Sequence, residues 1–178
     1  NSHKDSFEGF KSYGNPQSGE TIVMYFDEES LISDSSPKKP TWEINLKNSQ
    51  SGITIKEIFK DKSFVIATKT INEESIAKII KINNLGKIIW SKSYPNFGEI
   101  TDLDISKING KNDGIFISGH KHDNFGGIDG SIAKISLDGS LIWNHSFGNP
   151  IGGRNKFSKI ENKNELMVLD ECWGISSM

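Results

Sequence analysis

The sequence predicts an all-β fold built from a repeated four-stranded unit. Two stretches of the 178-residue chain repeat without a gap: residues 78–90 read KIIKINNLGKIIW, and residues 131–143 read SIAKISLDGSLIW. Their tryptophans, Trp90 and Trp143, lie 53 positions apart. No segment of ten or more residues shows the 3.6-residue apolar periodicity of a helix. Repetition near 50 residues is typical of folds whose units bury their apolar faces only against one another.

A third, degraded copy lies near the start of the chain. Residues 21–32 read TIVMYFDEESLI, and residues 33–41 then intrude before the expected tryptophan, Trp42. The chain is therefore expected to contain three units, and its length suits one domain over residues 1–178.

Each unit is predicted to begin with two strands ahead of the repeated stretch. The second strand is a short apolar run bounded by polar residues or glycine, which is typical of a buried strand. It occurs at residues 63–68 (SFVIAT), 114–119 (GIFISG) and 165–170 (ELMVLD), each 51 positions after the last. Weaker alternating segments at residues 53–59, 103–108 and 157–160 predict the first strand.

The repeated stretch itself predicts a β-hairpin that supplies the third and fourth strands. Its two arms meet at Asn84-Leu85-Gly86 or at Asp138-Gly139, and the Asp-Gly pair tolerates the positive φ angles of tight hairpin turns. Residues 72–82, the best candidate for a helix, are better explained as the start of such a strand. All five prolines fall in the predicted connections, where no ladder hydrogen bond is lost.

The order of strands along the chain predicts one split unit. The chain opens with the third strand of a unit and closes with the second strand of another, so we expect residues 20–32 to pair with residues 164–170, within one subunit or between two. Such pairing removes two free strand edges. The predicted units are 20–46 with 155–173, then 47–92, then 93–146.

Composition narrows the classes of partner. The 21 basic and 23 acidic side chains give a net charge of −2, which argues against nucleic acid and anionic membranes as partners. No run approaches the ~20 apolar residues of a membrane span. The opening NSHKDSFEGF has no initiator Met, and one interpretation is the start of a processed bacterial lipoprotein. We therefore expect an extracytoplasmic protein, periplasmic, secreted or lipid-anchored.

Ligand-type residues cluster at positions 119–124, GHKHDN. His120 and His122, two positions apart, would lie on one side of an extended chain and could chelate zinc or copper with Asp123 or Asp129. Asp123 and Asp129 could instead hold calcium, although their spacing does not match a helix-loop-helix calcium site. An ordinary polar surface loop is the simpler interpretation, so we predict no metal.

Aromatic residues in the predicted connections suggest a surface that binds a partner. Such rings, beside Asn, Asp and His, stack on sugars or fill pockets of a protein; anchoring of loops onto the sheets is the alternative. They are Phe10, Tyr13, Tyr94, Phe97, Phe125, Phe147 and Trp173. The predicted ligand-binding residues are His120, His122, Asp123, Phe125 and Trp173, and the predicted partner is a protein or a glycan.

Catalysis has little support in the sequence. There is no G-x-S-x-G motif. Cys172, the only cysteine, follows Asp170-Glu171, whose carboxylates would raise the pKa of its thiol and disfavour a thiolate. We predict no catalytic residues and no cofactor.

The segments LDGSLIW (137–143), NLGKIIW (84–90), SFG (146–148) and FGGIDGSIAKI (125–135) resemble the repeats of bacterial β-propellers, including quinoprotein-like and other secreted families. The resemblance implies four-stranded blades, with the tryptophan of each outer strand packed between neighbours. Propellers close with ~4–8 blades. Three units therefore imply a homodimer that closes a six-bladed ring, or a piece of a longer propeller. The β-trefoil, which has three four-stranded repeats, is the alternative fold.

The resemblance says less about function, because propellers include enzymes, lectins and scaffolds. The first hypothesis is an extracytoplasmic, non-enzymatic binding module that uses loops on one face. The alternative is a carbohydrate-binding lectin, and a further alternative is an enzyme or quinone-binding fragment.

Overall fold

The computed structural model describes residues 9–15, 20–26, 39–47, 54–57, 63–70, 76–122, 127–147, 154–163 and 165–173. These residues form strands and connections and no helix. The strands are β1 (Phe10–Asn15), β2 (Glu20–Tyr25), β3 (Trp42–Lys47), β4 (Thr54–Glu57), β5 (Phe64–Lys69), β6 (Ala77–Ile82), β7 (Ile88–Tyr94), β8 (Glu99–Ile108), β9 (Lys111–His122), β10 (Ile128–Ile135), β11 (Leu141–Phe147), β12 (Arg154–Lys163) and β13 (Glu165–Trp173). Nowhere in these ranges is there a helix of the length and apolarity that crossing a lipid bilayer requires.

The strands form three sheets. The first sheet has the order β1-β2-β3, and the middle sheet has the order β4-β5-β6-β7. The third sheet contains the run β8-β9-β10-β11, and β12 joins β10 through one parallel pair, Ile128 with Arg154, and carries β13 on its other side. Strands β4 to β7 and β8 to β11 are each an antiparallel meander, so the predicted four-stranded unit is confirmed for these two segments.

The predicted hairpins and second strands are present where the sequence placed them. Gly86 and Gly139 adopt φ angles of 76° and 79° in the turns β6–β7 and β10–β11. Asn83 closes the first turn, because its side-chain Oδ1 accepts hydrogen bonds from the backbone N–H groups of Leu85 (3.0 Å) and Lys87 (2.8 Å). Residues 77–82 are strand rather than helix.

The sheets stack face to face, with the middle sheet between the other two. Strand β8 lies against β4 and β5, which brings the third sheet onto the middle one. One core lies between the first and middle sheets and contains Val23, Trp42, Ile44, Leu46, Phe64, Ile66, Ile80 and Ile82. The second core, between the middle and third sheets, contains Val65, Ala67, Ala77, Ile79, Tyr94, Phe97, Ile100, Leu103, Ile105, Ile115, Ile117, Ala133 and Ile135.

The position of β5 inside the middle sheet explains why its sequence is a continuous apolar run rather than an alternating one. Successive side chains of a strand point to opposite faces of the sheet. Phe64 and Ile66 face the first core, and Val65 and Ala67 face the second core. All four side chains are at most 1% exposed, because both faces of the middle sheet are covered.

The pairing at the chain ends differs from the prediction. Strand β2 has β1 on one edge, in register from Phe10 with Tyr25 to Asn15 with Glu20, and β3 on the other, so residues 20–25 do not pair with residues 165–170. Two physical reasons favour β1. Its loop to β2 is short, which makes closure less costly than pairing across most of the chain. Its Phe10 ring also lies 4.9 Å from Tyr25 and 5.0 Å from Phe64, centroid to centroid.

Candidate functional site

Backbone pairing brings three of the predicted ligand-binding residues to one end of the third sheet. His122, the last residue of β9, pairs with Ile128 of β10, Ile128 pairs with Arg154 of β12, and Arg154 pairs with Trp173 of β13. Neighbouring strands are about 4.8 Å apart, so His122 and Trp173 are separated by about 14 Å across this row. His120 lies two residues earlier on β9. We call this region the polar sheet end.

The other two predicted residues, Asp123 and Phe125, lie outside the described residues. They belong to residues 123–126, which follow β9 and precede β10 in the sequence. The strand pairing shows only where the backbone of His120, His122 and Trp173 lies, and a shared ligand-binding surface stays a prediction for all five residues.

His120 is part of a strand and is only 7% exposed, which corrects its predicted place in a surface loop. Its Nε2 lies 3.9 Å from Oε2 of Glu99 on β8, and the same carboxylate oxygen accepts a hydrogen bond from Nζ of Lys69 on β5 at 3.1 Å. The side chains of Lys69 and Glu99 are 23% and 37% exposed, so the cluster lies at the edge of the core between the middle and third sheets. The ammonium, carboxylate and imidazole therefore form one cluster that joins the middle and third sheets.

The close approach of β8 and β9 is possible only because Gly119 precedes His120. A Cβ atom at Gly119 would lie 2.0 Å from the carbonyl oxygen of Glu99, which no side chain could occupy without moving the backbone. Glu99 and His120 are also paired directly across the two strands. The Glu99 carboxylate is therefore held beside the His120 imidazole by the pairing of the two backbones as well as by the contact between the side chains.

The connection from β7 to β8 is tied down at the same end. The Nζ atom of Lys121 donates a hydrogen bond to the Pro95 carbonyl (2.8 Å), and the Gly98 N–H donates to the His120 carbonyl (3.0 Å). The Phe97 carbonyl accepts from the Ala77 N–H at 2.8 Å. This part of the polar sheet end is therefore held in place by backbone contacts to two sheets.

Several of the predicted loop aromatics belong to the cores instead. Phe97 is 1% exposed and Tyr94 is 6% exposed, so both anchor the β7–β8 connection, which was the alternative interpretation. Phe10 packs against the first core. Tyr13 and Phe147 are 56% and 45% exposed.

Lys69 and Glu99 were not among the predicted site residues, although the repeat contains a signal for one of them. Lys69 lies 51 positions before His120, and Glu171 lies 51 positions after it, so a polar residue follows the apolar run of the second strand in every unit. Comparison of equivalent positions would have singled out Lys69. Nothing comparable marks Glu99, which reaches the cluster through strand pairing.

The cluster combines hydrogen-bond donors with an acceptor. The imidazole and ammonium groups donate hydrogen bonds, and the half-exposed Glu99 carboxylate accepts them. Among the described residues, no three His, Cys, Asp or Glu side chains are placed to hold a metal ion together.

No model of a protein family matches the chain, and no curated protein is significantly similar to it.

Proposed function

We propose that this protein is a non-enzymatic binding module whose polar sheet end contacts the ligand. The supporting observation is the strand pairing that lines up His122 and Trp173 in one row, with His120 two residues from its start. The groups of this row come from four strands, so the scaffold rather than a single loop sets their spacing. Rigid presentation of polar and aromatic groups lowers the entropy lost when a partner binds.

We further propose that the sheets are blades of a propeller-type scaffold. Two features support this proposal: the face-to-face stacking of antiparallel meanders, and the contact of an outer-strand tryptophan with the hairpin turn of the next sheet. Trp42 lies against Gly86 and Trp90 lies against Gly139. In a propeller, the connections after second and fourth strands share one face, and both kinds of connection meet at the polar sheet end.

A carbohydrate ligand is the more specific form of the proposal. An indole such as that of Trp173 stacks on the apolar face of a sugar ring, and His or Glu side chains bond its hydroxyl groups. A protein partner would use the same groups as a polar rim around an aromatic anchor. The extracytoplasmic location stays a prediction from the sequence.

The test compares three proteins on a glycan array and on a panel of purified cell-surface and extracellular proteins: the wild type, a His122→Ala/Trp173→Ala double variant, and Lys111→Ala. Lys111 is exposed at the opposite end of β9 and serves as the matched control. Binding that the double variant loses and Lys111→Ala keeps supports the proposal, and the responding surface distinguishes glycan from protein. Binding that survives in the double variant contradicts it.

A further inference from the structure

The hairpin between β8 and β9 turns through two residues, Asn109 and Gly110. Ile108 and Lys111 pair with each other on either side of them. Asn109 and Gly110 have φ angles of 50° and 74°. A positive φ at both central residues is typical of the type I′ turn, which asparagine followed by glycine adopts readily. The fold therefore accounts for both residues, and the same pair of residues is chemically reactive.

The reactive groups of this turn are exposed and unrestrained. Asn109 and Gly110 are both exposed to solvent. No atom lies within 4 Å of the position that a Cβ atom at Gly110 would take. Over the ranges that the structure describes, neither the Asn109 side chain nor the Gly110 N–H has a hydrogen-bond partner. The Gly110 nitrogen and the Asn109 amide carbon can therefore approach each other by rotation within the turn.

The β6–β7 turn shows how an exposed asparagine is protected. Asn84 is exposed in this turn, but the N–H that follows it, that of Leu85, donates a hydrogen bond to Asn83 Oδ1 at 3.0 Å. This bond holds the nitrogen of Leu85 away from the Asn84 amide, and the Leu85 side chain hinders its approach. Asn84 therefore provides a matched comparison with Asn109.

The β10–β11 turn contains Asp138 and Gly139, the acidic counterpart of the reactive pair. The Gly139 N–H donates to the Ser136 carbonyl at 2.9 Å. The Asp138 carboxylate accepts hydrogen bonds from the Ser140 N–H (3.3 Å) and hydroxyl (3.2 Å). A carboxylate also has no amine to release. Of these three turns, the one with Asn109 alone combines an amide that can leave with an unrestrained glycine nitrogen.

The residues around the pair favour the reaction further. Asn109 is the one asparagine of the 178-residue chain that a glycine follows. Glycine has no Cβ atom, so its backbone nitrogen is the least hindered. Lys107 and Lys111 flank the turn and are both exposed. Their positive charges stabilise the negative charge that develops on the Gly110 nitrogen as its proton leaves.

We propose that Asn109 is a site of spontaneous deamidation in the folded protein. The Gly110 nitrogen gives its proton to water and attacks Asn109 Cγ, so that an N–Cγ bond forms. The Cγ–Nδ2 bond breaks, and the amide nitrogen takes up a proton and leaves as ammonia. Water then opens the five-membered imide at either of its two carbonyl groups, which gives an aspartyl or an isoaspartyl residue at position 109. The reaction consumes one water molecule, releases one ammonia and needs no other reactant.

Both products change the tip of the β8–β9 hairpin. Each replaces a neutral amide by a carboxylate, which takes the formal net charge of the chain from −2 to −3. The isoaspartyl product also adds the Cβ atom of position 109 to the main chain, between strands that are paired directly beside the turn. The pair Ile108 with Lys111 is therefore expected to loosen in the isoaspartyl form.

The test incubates the folded wild type in mildly alkaline buffer and follows position 109 by mass spectrometry. Cleavage before aspartate releases residues 104–112, in which fragmentation distinguishes Asn109 from Asn112. The aspartyl product is cut again at position 109. The isoaspartyl product resists that cleavage and accepts a methyl group from S-adenosylmethionine in the presence of an isoaspartyl methyltransferase. We expect both products at position 109 and neither at Asn84.

Urea separates reaction in the folded state from reaction through global unfolding. Below the unfolding transition, the unfolded fraction rises at least about fivefold for each molar of urea. A reaction confined to the exposed turn does not depend on that fraction, so the rate at Asn109 should change by less than about twofold over the same interval.

Two variants complete the test. Asn109→Gly removes the amide and keeps a residue that tolerates positive φ, so it should fold and form neither product. Asn84→Ala is the matched control and should leave the conversion at Asn109 unchanged. The proposal is overturned if position 109 keeps its amide while the protein stays folded, or if Asn84 converts as fast. It is also overturned if the rate at Asn109 rises with urea as steeply as the unfolded fraction.

Discussion

The indole of Trp90 lies against Gly139, 49 positions further along the chain, so closely that a Cβ atom there would be 3.0 Å from its Cη2 and Cζ3 atoms. Trp42 approaches Gly86 as closely, since a Cβ atom at Gly86 would be 2.9 Å from the Trp42 Cβ atom and 3.0 Å from its Cγ atom. Each glycine therefore has two roles. It supplies the positive φ of a hairpin turn, and it leaves room for the tryptophan of the preceding sheet.

Gly139→Ala and Gly86→Ala should destabilise the protein more than a turn position alone would. The positive φ costs about 1–2 kcal/mol for a residue with a Cβ atom, and displacement of the indole adds about 1–3 kcal/mol. Gly110→Ala is the control, since Gly110 has a φ of 74° with no atom within 4 Å of its Cβ position. Urea unfolding of the three variants measures the difference. Equal losses at Gly110 and Gly139 would show that the indole contact contributes nothing.

Replacing a tryptophan by alanine should cost more stability where the indole is more deeply buried. Trp42→Ala removes a side chain that is 6% exposed and should cost about 3–5 kcal/mol. Trp143 is half-buried, so Trp143→Ala should cost about 1–2 kcal/mol. Thermal unfolding provides the comparison. A loss at Trp143 as large as that at Trp42 would mean that Trp143 is covered in solution.

Acid should lower the free energy of unfolding, and protonation of Asp113 should account for part of this loss. The Lys134 side chain donates to Asp113 Oδ2 at 2.6 Å, and this bond, with a further one from Ser106, holds the pKa of Asp113 below its usual value. The folded-state pKa is lower than the unfolded one, so this stabilisation is complete above the unfolded value and is lost as pH falls through the folded value.

The measurement is the melting temperature between about pH 6 and pH 2. The wild type should lose more stability over this interval than Asp113→Asn, which has no carboxylate to protonate. Parallel curves for the two proteins would exclude a contribution from Asp113.

Zinc should not bind stoichiometrically at the polar sheet end. His120 is buried beside Glu99 and Lys69, and the Lys69 ammonium repels a cation. Equilibrium dialysis should give less than one zinc ion per chain for both the wild type and His122→Ala. One tightly held ion that disappears in His122→Ala would contradict this expectation.

The sequence predicted those strands and turns whose structure depends on residues that are close together along the chain. The apolar run 63–68 predicted most of β5, and the Asp138-Gly139 turn forms through the positive φ of Gly139. Strand β1 was not predicted, because FKSYGN has neither an apolar run nor strict alternation. It becomes a strand by pairing with β2 and by placing Phe10 among the rings of the first core.

Part of the candidate site was predictable, because it too depends on residues that are close together along the chain. His120 and His122 are both residues of β9, so the extended backbone expected for this pair is present. The contact of His120 with Glu99 was not predictable, because it depends on which strand pairs with β9 and in which register. Residue patterns specify that a strand has a buried face, and they do not specify its partner.

Strand β5 ties the two cores together through adjacent residues, since Phe64 packs toward one neighbouring sheet and Val65 toward the other. Opening of this strand would disrupt both interfaces at once, whereas either outer sheet could open and leave one interface intact. Stability in such a stack is transmitted only between nearest neighbours. The slowest amide hydrogen exchange should therefore lie in β5 and β6, and the two outer sheets should exchange their amides independently of each other.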